Sequence, residues 1–395
     1  MRFPGALLLS FSFLLPSPDP GPAGDREEPG APTGPESGST ARRVTVEQQR
    51  AIDAGLQYLA GQQDPAGGFP TRDRSDTRGK SADYQTAVTS LSLLAFLGAG
   101  HGLRHGPYHE NVLRAVNWLL KAQQEGGGYI SYANDSQSKM HGHGFATLAL
   151  AEAYASATSG GTPETESNSS EARPLRALSV NLKKAIQDAV NCIEGAQSGS
   201  GGWDYLPSSG GTSNHEGSVT VCQVQALLAA SNRGFVVDLR RIRNAREYMR
   251  KSQVECGGFK YKLSTEDAGV DRRHFTYALA AAGVTSLVGL GEYDRRDAVE
   301  RGLRFLEERE RVPTPEGTPY FFYGSFYAVQ AFHWAGGERW ERFWAPFRRN
   351  LLTGQNADGS WTGKDTQTEL GNVYPTAFSL LMLEVPVEYL SIFAK

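Results

Sequence analysis

The sequence predicts an all-α protein of six helical hairpins, with six inner helices forming a ring and six outer helices wrapped around it. Two observations carry that prediction. A glutamine–glycine–aromatic phrase recurs along the chain, and each copy separates an amphipathic segment from one that is apolar nearly all round. The phrase occurs as QQDPAGGF (62–69), QQEGGGY (123–129), QSGSGGW (197–203), QVECGGF (253–259) and QNADGSW (355–361). In each copy a Gln stands six residues before an aromatic: Gln63 and Phe69, Gln123 and Tyr129, Gln197 and Trp203, Gln253 and Phe259, Gln355 and Trp361. Successive glutamines lie 60, 74, 56 and 102 residues apart, so the last interval holds two units. The stretch VERGLRFLEERERVPTPEGTPYFFYG (299–324) supplies the degenerate one and brings the number to six. A fixed internal period of this kind marks a repeat architecture.

The segment before each phrase is amphipathic. Ile52, Leu56 and Leu59 share one helical face, and Thr45 with Gln48 reads as a capping box at its start. The same pattern returns at Val112, Val116 and Leu119; at Leu182, Ile186 and Ile193; at Leu239, Ile242 and Met249; at Val299, Leu303 and Leu306; and at Phe343, Phe347 and Leu351. After each phrase comes a segment with no polar face: 87–99, 145–155, 218–230, 275–290, 324–335 and 375–385. A helix apolar on every side must be covered on every side, which places these segments inside. No terminal inner segment carries the polar face that would cap an open solenoid, so the ring is expected to close. The glycines of the phrase suit turns that need positive φ. The aromatic is expected to pack back over the preceding helix, and the Gln amide to bond backbone groups of a neighbouring helix.

The chain has 395 residues, 39% hydrophobic and 21% charged, which is a globular composition. A net charge of −3 provides no field for nucleic acid or for a membrane surface. Residues 1–24 carry one Arg, an apolar run from Gly5 to Leu15 and then prolines, the pattern of an export signal and too short to span a bilayer. Residues 25–43 read as a flexible linker and 44–395 as the repeat domain. The localisation expected is secreted or periplasmic. A polar insertion, ATSGGTPETESNSSEARP (157–174), accounts for the 74-residue step and reads as a disordered loop. Cys192, Cys222 and Cys256 fit no zinc spacing and are expected to be buried free thiols.

The Q-x-x-x-G-[GS]-[FYW] phrases resemble the repeats shared by squalene/hopene cyclases and protein prenyltransferase β subunits. The resemblance covers residues 44–385 and implies an α/α toroid, a barrel of six hairpins. The segments HGHGFATLALAEAYA, NVYPTAFSLLMLEVP and VEYLSIF look like secreted bacterial members of that superfamily. The chemistry of those relatives does not carry over. There is no D-x-D-D acid motif; the nearest strings are DRSD (73–76) and DRRD (294–297). His274 and Thr276 stand where the resemblance places the prenyltransferase zinc ligands, so that site lacks its thiolate and carboxylate. The C-G-E-Q thioester motif of a third toroid family is absent as well.

Candidate site residues are therefore sought where the six inner helices begin, since each helix N-terminus carries roughly +0.5 charge and unpaired N–H groups. Asp83 and Tyr84, His141 and His143, His215 and Glu216, Arg273 and His274, Tyr323 and Tyr327, and Asn372 and Tyr374 stand there. Asp83, Glu216 and Asn372 can also be read as helix caps. His, Arg and Tyr at one mouth suit an anionic or polyhydroxylated ligand, and an interior lined by Phe, Tyr and Leu suits a lipid. No cofactor and no metal is implied; His141-x-His143 is the nearest approach to a metal motif. The expected function is a non-catalytic ligand- or partner-binding toroid. The alternative is an enzyme, either of the terpenoid cyclase/transferase type or carbohydrate-active, using His141, His143, Glu216 and Arg273 at that mouth.

Overall fold

The computed structural model describes residues 44–71, 84–124, 127–133, 135, 139–158, 173–207, 215–263, 275–291, 296–309, 312–363 and 371–394. The expected export signal and linker, Asp83, Arg273, His274, the DRSD string and residues 159–172 of the insertion lie outside them.

Twelve α-helices occur among the described residues, in six consecutive pairs. The pairs are α1 (Val46–Gln62) and α2 (Gln85–Gly98), α3 (His109–Ala122) and α4 (Lys139–Thr158), and α5 (Arg173–Ala196) and α6 (Gly217–Asn232). They continue with α7 (Leu239–Ser252) and α8 (Tyr277–Gly289), α9 (Arg296–Arg309) and α10 (Phe321–Ala335), and α11 (Gly337–Thr353) and α12 (Val373–Glu384). The even-numbered helices pack on one another in order, and α12 packs back on α2. That last contact closes the ring. The odd-numbered helices lie outside this ring, each packed on the inner helix before it: α3 on α2, α5 on α4, α7 on α6, α9 on α8, α11 on α10, and α1 on α12 across the closure. The apolar stretches that define the inner helices are buried along nearly their whole length.

The recurrent phrase is the joint of this architecture. Each Gln side chain donates from Nε2 to two carbonyls, one in its own turn and one on the next outer helix. Gln63 reaches Gly67 O at 3.0 Å and Asn111 O at 2.9 Å. Gln123 reaches Gly128 O at 3.0 Å and Ala185 O at 2.8 Å. Gln197 reaches Gly201 O at 3.0 Å and Arg241 O at 2.9 Å. Gln253 and Gln355 repeat the arrangement on Ala298 (2.7 Å) and Ala51 (2.9 Å). The Gln355 bond ties the last turn to the first outer helix, so the same device joins the ends of the chain. A glycine with positive φ follows each Gln, four residues on at Gly67, Gly201, Gly257 and Gly359 and five on at Gly128, and a Cβ there would meet a backbone oxygen of the next outer helix: at Gly201 (φ +95°), Asn244 O would be 2.2 Å away. Only glycine tolerates both the conformation and the approach.

The aromatics pack as expected. Phe69, Tyr129, Trp203, Phe259 and Trp361 are all buried. Trp203 Nε1–H donates to Ile193 O and Trp361 Nε1–H to Leu351 O, each 2.7 Å away on the preceding outer helix. Their backbone N–H groups donate to threonines on the inner helix that follows: Phe69 to Thr89 (2.9 Å), Trp203 to Thr220 (3.2 Å) and Trp361 to Thr376 (2.9 Å).

The fifth unit has no Gln, and an ion pair stands in its place. Arg339, near the start of α11, reaches Glu300 on α9 through both terminal nitrogens at 2.9 and 3.0 Å, and Glu307 through Nε at 2.9 Å. A bidentate guanidinium supplies the geometric definition that the amide supplies elsewhere.

Three readings of the sequence need correction. Gln48 does not complete a capping box with Thr45. Thr45 Oγ1 accepts from Gln48 N–H at 3.1 Å, but the Gln48 side chain donates to Leu383 O at 2.7 Å on α12. It closes the ring instead. Leu239 is not on a buried face; at 65% exposure it precedes the packed part of α7, whose buried residues begin at Ala245. Glu216 and Asn372 occupy N-cap positions, yet neither side chain makes a capping bond.

The interior of the ring is filled. On one side, α6 and α10 are joined across it by three rungs. Tyr323 Oη–H donates to Ser218 O (2.9 Å), Tyr327 Oη meets Cys222 Sγ (3.6 Å), and Gln225 Nε2–H donates to Gln330 Oε1 (2.8 Å), each pair being 105 residues apart in sequence. On the other side, Phe145, Phe326, Tyr374 and Phe378 interlock, with ring centroids 4.9 to 6.3 Å apart. All three cysteines are free as expected, but only Cys222 is buried; Cys192 and Cys256 are partly exposed.

Candidate functional site

The inner helices begin at one mouth of the ring, and the turns preceding α6 and α8 are pinned there by backbone bonds to the starts of α4 and α6. Met140 N–H donates to Tyr205 O, Glu216 N–H to Trp203 O and Gly217 N–H to Tyr261 O, all at 3.0 Å. This places Tyr205, Tyr261 and Glu216 side by side. Glu216 is 2% exposed. Its Oε2 accepts from Tyr261 Oη–H at 2.5 Å, and its Oε1 lies 3.5 Å from Lys262 Nζ. Tyr205 and Tyr261 meet hydroxyl to hydroxyl. Because Tyr261 gives its proton to the carboxylate, Tyr205 donates to the Tyr261 oxygen. The Tyr205 oxygen thus keeps a free lone pair for an outside donor.

The aromatic cluster extends from there toward the bore. His141 packs against Tyr205 (centroids 5.9 Å) and edge-on against Tyr323 (6.5 Å), and Tyr323 packs on Tyr327 (4.9 Å). At the rim, Tyr261 is 42% exposed and Tyr320 is 43% exposed, the latter held at φ 55° where a non-glycine residue is uncommon. The result is a carboxylate set beneath the open ring of Tyr261, with Tyr320 exposed separately at the start of α10.

Burial, then the neighbouring Glu216 carboxylate, pushes the Tyr205 hydroxyl up to about 12, and the same two causes raise Tyr261 further. Burial also raises Tyr323 and Tyr327 and takes the Cys222 thiol up to about 12. At neutral pH these groups stay protonated. They are hydrogen-bond donors, not nucleophiles.

The structure thus brings His141, Glu216, Tyr323 and Tyr327 into one cluster. Tyr374 borders it, its ring packing on Phe378. His143 is not part of it. It is fully buried on the far side of α4, accepts at Nδ1 from Ile130 N–H (3.0 Å), and is lowered by burial to about 4. It does for the second unit what Thr89, Thr220 and Thr376 do for theirs, so His141 and His143 diverge and cannot share a metal ion. Among the described residues no group of three or more metal-ligating side chains occurs. His215 is buried behind Glu216, where its carbonyl accepts from Tyr248 Oη–H at 3.0 Å, and burial lowers its ring below the usual value. Tyr84 takes the N-cap position of α2, and Asn372 Nδ2 reaches Ser360 Oγ at 3.4 Å. Sequence reasoning missed Tyr205, Tyr261 and Lys262. The signal for the tyrosines was present: each stands two residues after the aromatic of its phrase.

No protein-family model and no curated protein matches the sequence. Solved structures do. The cellobiose 2-epimerase of Spirochaeta thermophila matches with a TM-score of 0.60 at 13% identity, over 88% of this chain and 98% of that one. A type II terpene cyclase from Scytonema, in complex with geranylgeranyl dihydroxybenzoate, matches with a TM-score of 0.54 at 12% identity, over 87% and 98%. An α-1,6-mannanase variant from Salegentibacter, bound to α-1,6-mannotetrose, matches with a TM-score of 0.53 at 8% identity, over 87% and 99%. The chain is an α/α toroid. At these identities the likeness establishes the fold alone, and the chemistry has to be argued from the mouth itself.

Proposed function

We propose that the protein is an exported toroid that binds a polyhydroxylated ligand, a glycan, at the mouth where its inner helices begin. The observation that carries this reading is the Tyr205–Tyr261–Glu216 relay beneath the exposed ring of Tyr261. A sugar presents hydroxyl donors and acceptors along its edge and apolar C–H faces above and below. The relay matches the edge, and the ring matches a face. The charge balance of the described relay agrees, since Glu216 is already paired with Tyr261 and Lys262. Binding is favoured over hydrolysis because glycoside cleavage uses two carboxyl groups across the scissile bond. Glu216 is engaged by Tyr261 and Lys262, and the neighbouring Asp204 accepts from Tyr205 N–H at 2.7 Å. Two of the three structural neighbours act on carbohydrates, which fits this ligand class. The export signal of residues 1–24 fits an encounter with glycans outside the cytoplasm.

A second reading, a prenyl chain held inside the ring, is favoured by the aromatic lining of Phe145, Phe326, Phe378 and Tyr374 and by the likeness to a terpene cyclase. It requires the interior to open, because those rings are packed against one another. The test is saturation-transfer NMR of the full chain against neutral α- and β-linked tetrasaccharides, with native mass spectrometry of whatever the purified protein retains. The glycan reading expects transfer to one or more of the sugars and its loss in Tyr261→Ala. No transfer to any sugar, together with a retained prenyl lipid, establishes the second reading instead.

A further inference from the structure

The opposite mouth of the ring holds a cavity with a different chemistry. The chain leaves α12 through a 3-10 turn (Val385–Val387), reverses at Glu388 with φ 58°, and crosses the ends of the inner helices. Three contacts hold this strap down. Glu388 Oε1 lies 2.9 Å from His333 Nε2, Ser391 N–H donates to Glu152 Oε1 at 3.0 Å, and Phe393 packs on Phe326 with centroids 6.2 Å apart. The other oxygen of Glu152 accepts from Arg233 at 2.6 Å. Between the strap and the helices lies a cavity of about 210 Å³, lined by Gln225, Gln330, Leu228, Val288, Trp334 and Phe393 among others.

Among the described residues its lining offers acceptors and aromatic side chains and includes no Lys or Arg; its one titratable side chain, His333, is paired with Glu388 of the strap. Gln330 Nε2 donates to Phe326 O at 3.1 Å, which orients its Oε1 toward Gln225 Nε2. Gln225 Oε1 is then left as a buried acceptor with no partner. A buried polar atom without a partner is costly, so an incoming donor there is favoured. The cavity also sits where α6, α8 and α10 end, and each of those termini carries roughly −0.5 charge. Trp334 and Phe393 present π faces of the kind that attract an organic cation.

We propose that this cavity is a binding site for a small alkylammonium ion, walled on one side by the chain's own C-terminal strap. It is separate from the tyrosine mouth, and its occupancy does not depend on the ligand bound there. Isothermal titration of the full chain with n-butylammonium chloride, and with butan-1-ol at matched ionic strength, tests it. The expected result is that the ammonium binds at least tenfold more tightly than the alcohol. Gln225→Leu should weaken the ammonium at least fivefold and leave the alcohol unchanged, and Gln225→Glu should tighten the ammonium. Thermal melts establish that each variant is folded. If Gln225→Leu does not fold, Trp334→Ala, on the partly exposed wall, is expected to weaken the ammonium at least fivefold. The proposal is overturned if neither probe binds, if the alcohol binds as tightly as the ammonium, or if the folded variants bind both probes as the native chain does.

Discussion

The two mouths of the ring are built from the same six helices and solve opposite problems. Where the helices begin, the backbone presents N–H groups and partial positive charge, and the side chains there are a carboxylate, a histidine and tyrosine hydroxyls. They bond one another and leave the Tyr261 ring open to solvent. Where the helices end, the backbone presents carbonyls and partial negative charge, and the chain covers that end with its own C-terminal strap. The open mouth is thus a surface prepared for an outside partner, and the closed one is a packed end with a small enclosed space. The difference locates function within a repeat architecture. Six nearly equivalent hairpins supply both ends, and the departures from equivalence mark where each end is specialised.

The largest effect expected from breaking this comparison comes from Phe393→Ala. Phe393 is buried against Phe326, and removing such a ring costs about 3–5 kcal/mol. Urea denaturation should show that loss in full, while chemical shifts of the tyrosine mouth stay in place. Gly201→Ala comes next. It forces a side chain into positive φ against Asn244 O in the turn that carries Trp203 and Tyr205, and about 2 kcal/mol or more should be lost. Here the disturbance should reach the Tyr205–Tyr261 contact, and the mouth tyrosine resonances should shift.

The smallest effect depends on pH. Glu384, at the end of α12, is 1% exposed, faces Gly98, and both of its oxygens lack partners. Burial raises its carboxyl well above the usual glutamate range, so the folded chain holds it protonated. A carboxyl whose folded value is raised contributes stability that is complete below the unfolded value of about 4.3 and is lost as pH rises through the folded value. Glu384→Gln should therefore match the native chain in thermal midpoint near pH 4 and exceed it increasingly toward pH 8. A constant difference across that range would mean that Glu384 does not titrate with unfolding.

The architecture was legible in the sequence because its determinants are local. The Gln-to-aromatic spacing, the glycines and the two kinds of helix all fall within single hairpins. The degenerate fifth unit could be placed by its spacing, but its replacement, Arg339 on Glu300 and Glu307, could not, since it joins groups on two separate helices. Gln48 was misread for the same reason: its local context signals a cap, and its partner is Leu383 at the other end of the chain. The site was half legible. Glu216 and Tyr323 stand out at helix starts, but Tyr205 and Tyr261 enter from turns 56 residues apart and meet only once α6 and α8 are side by side. His143 misled because its residue type suggests chemistry while its position is that of a hydrogen-bonding threonine.

The central claim, that the tyrosine mouth reads a glycan and the strapped mouth does not, is tested most directly by one calorimetric comparison. A tetrasaccharide that binds the native chain is titrated into Tyr261→Ala and into Phe393→Ala, each at a temperature where it is folded. The account predicts at least a tenfold loss of affinity in Tyr261→Ala and an unchanged Kd in Phe393→Ala. Unchanged binding in Tyr261→Ala with loss in Phe393→Ala would contradict it and move the glycan site to the other end of the ring.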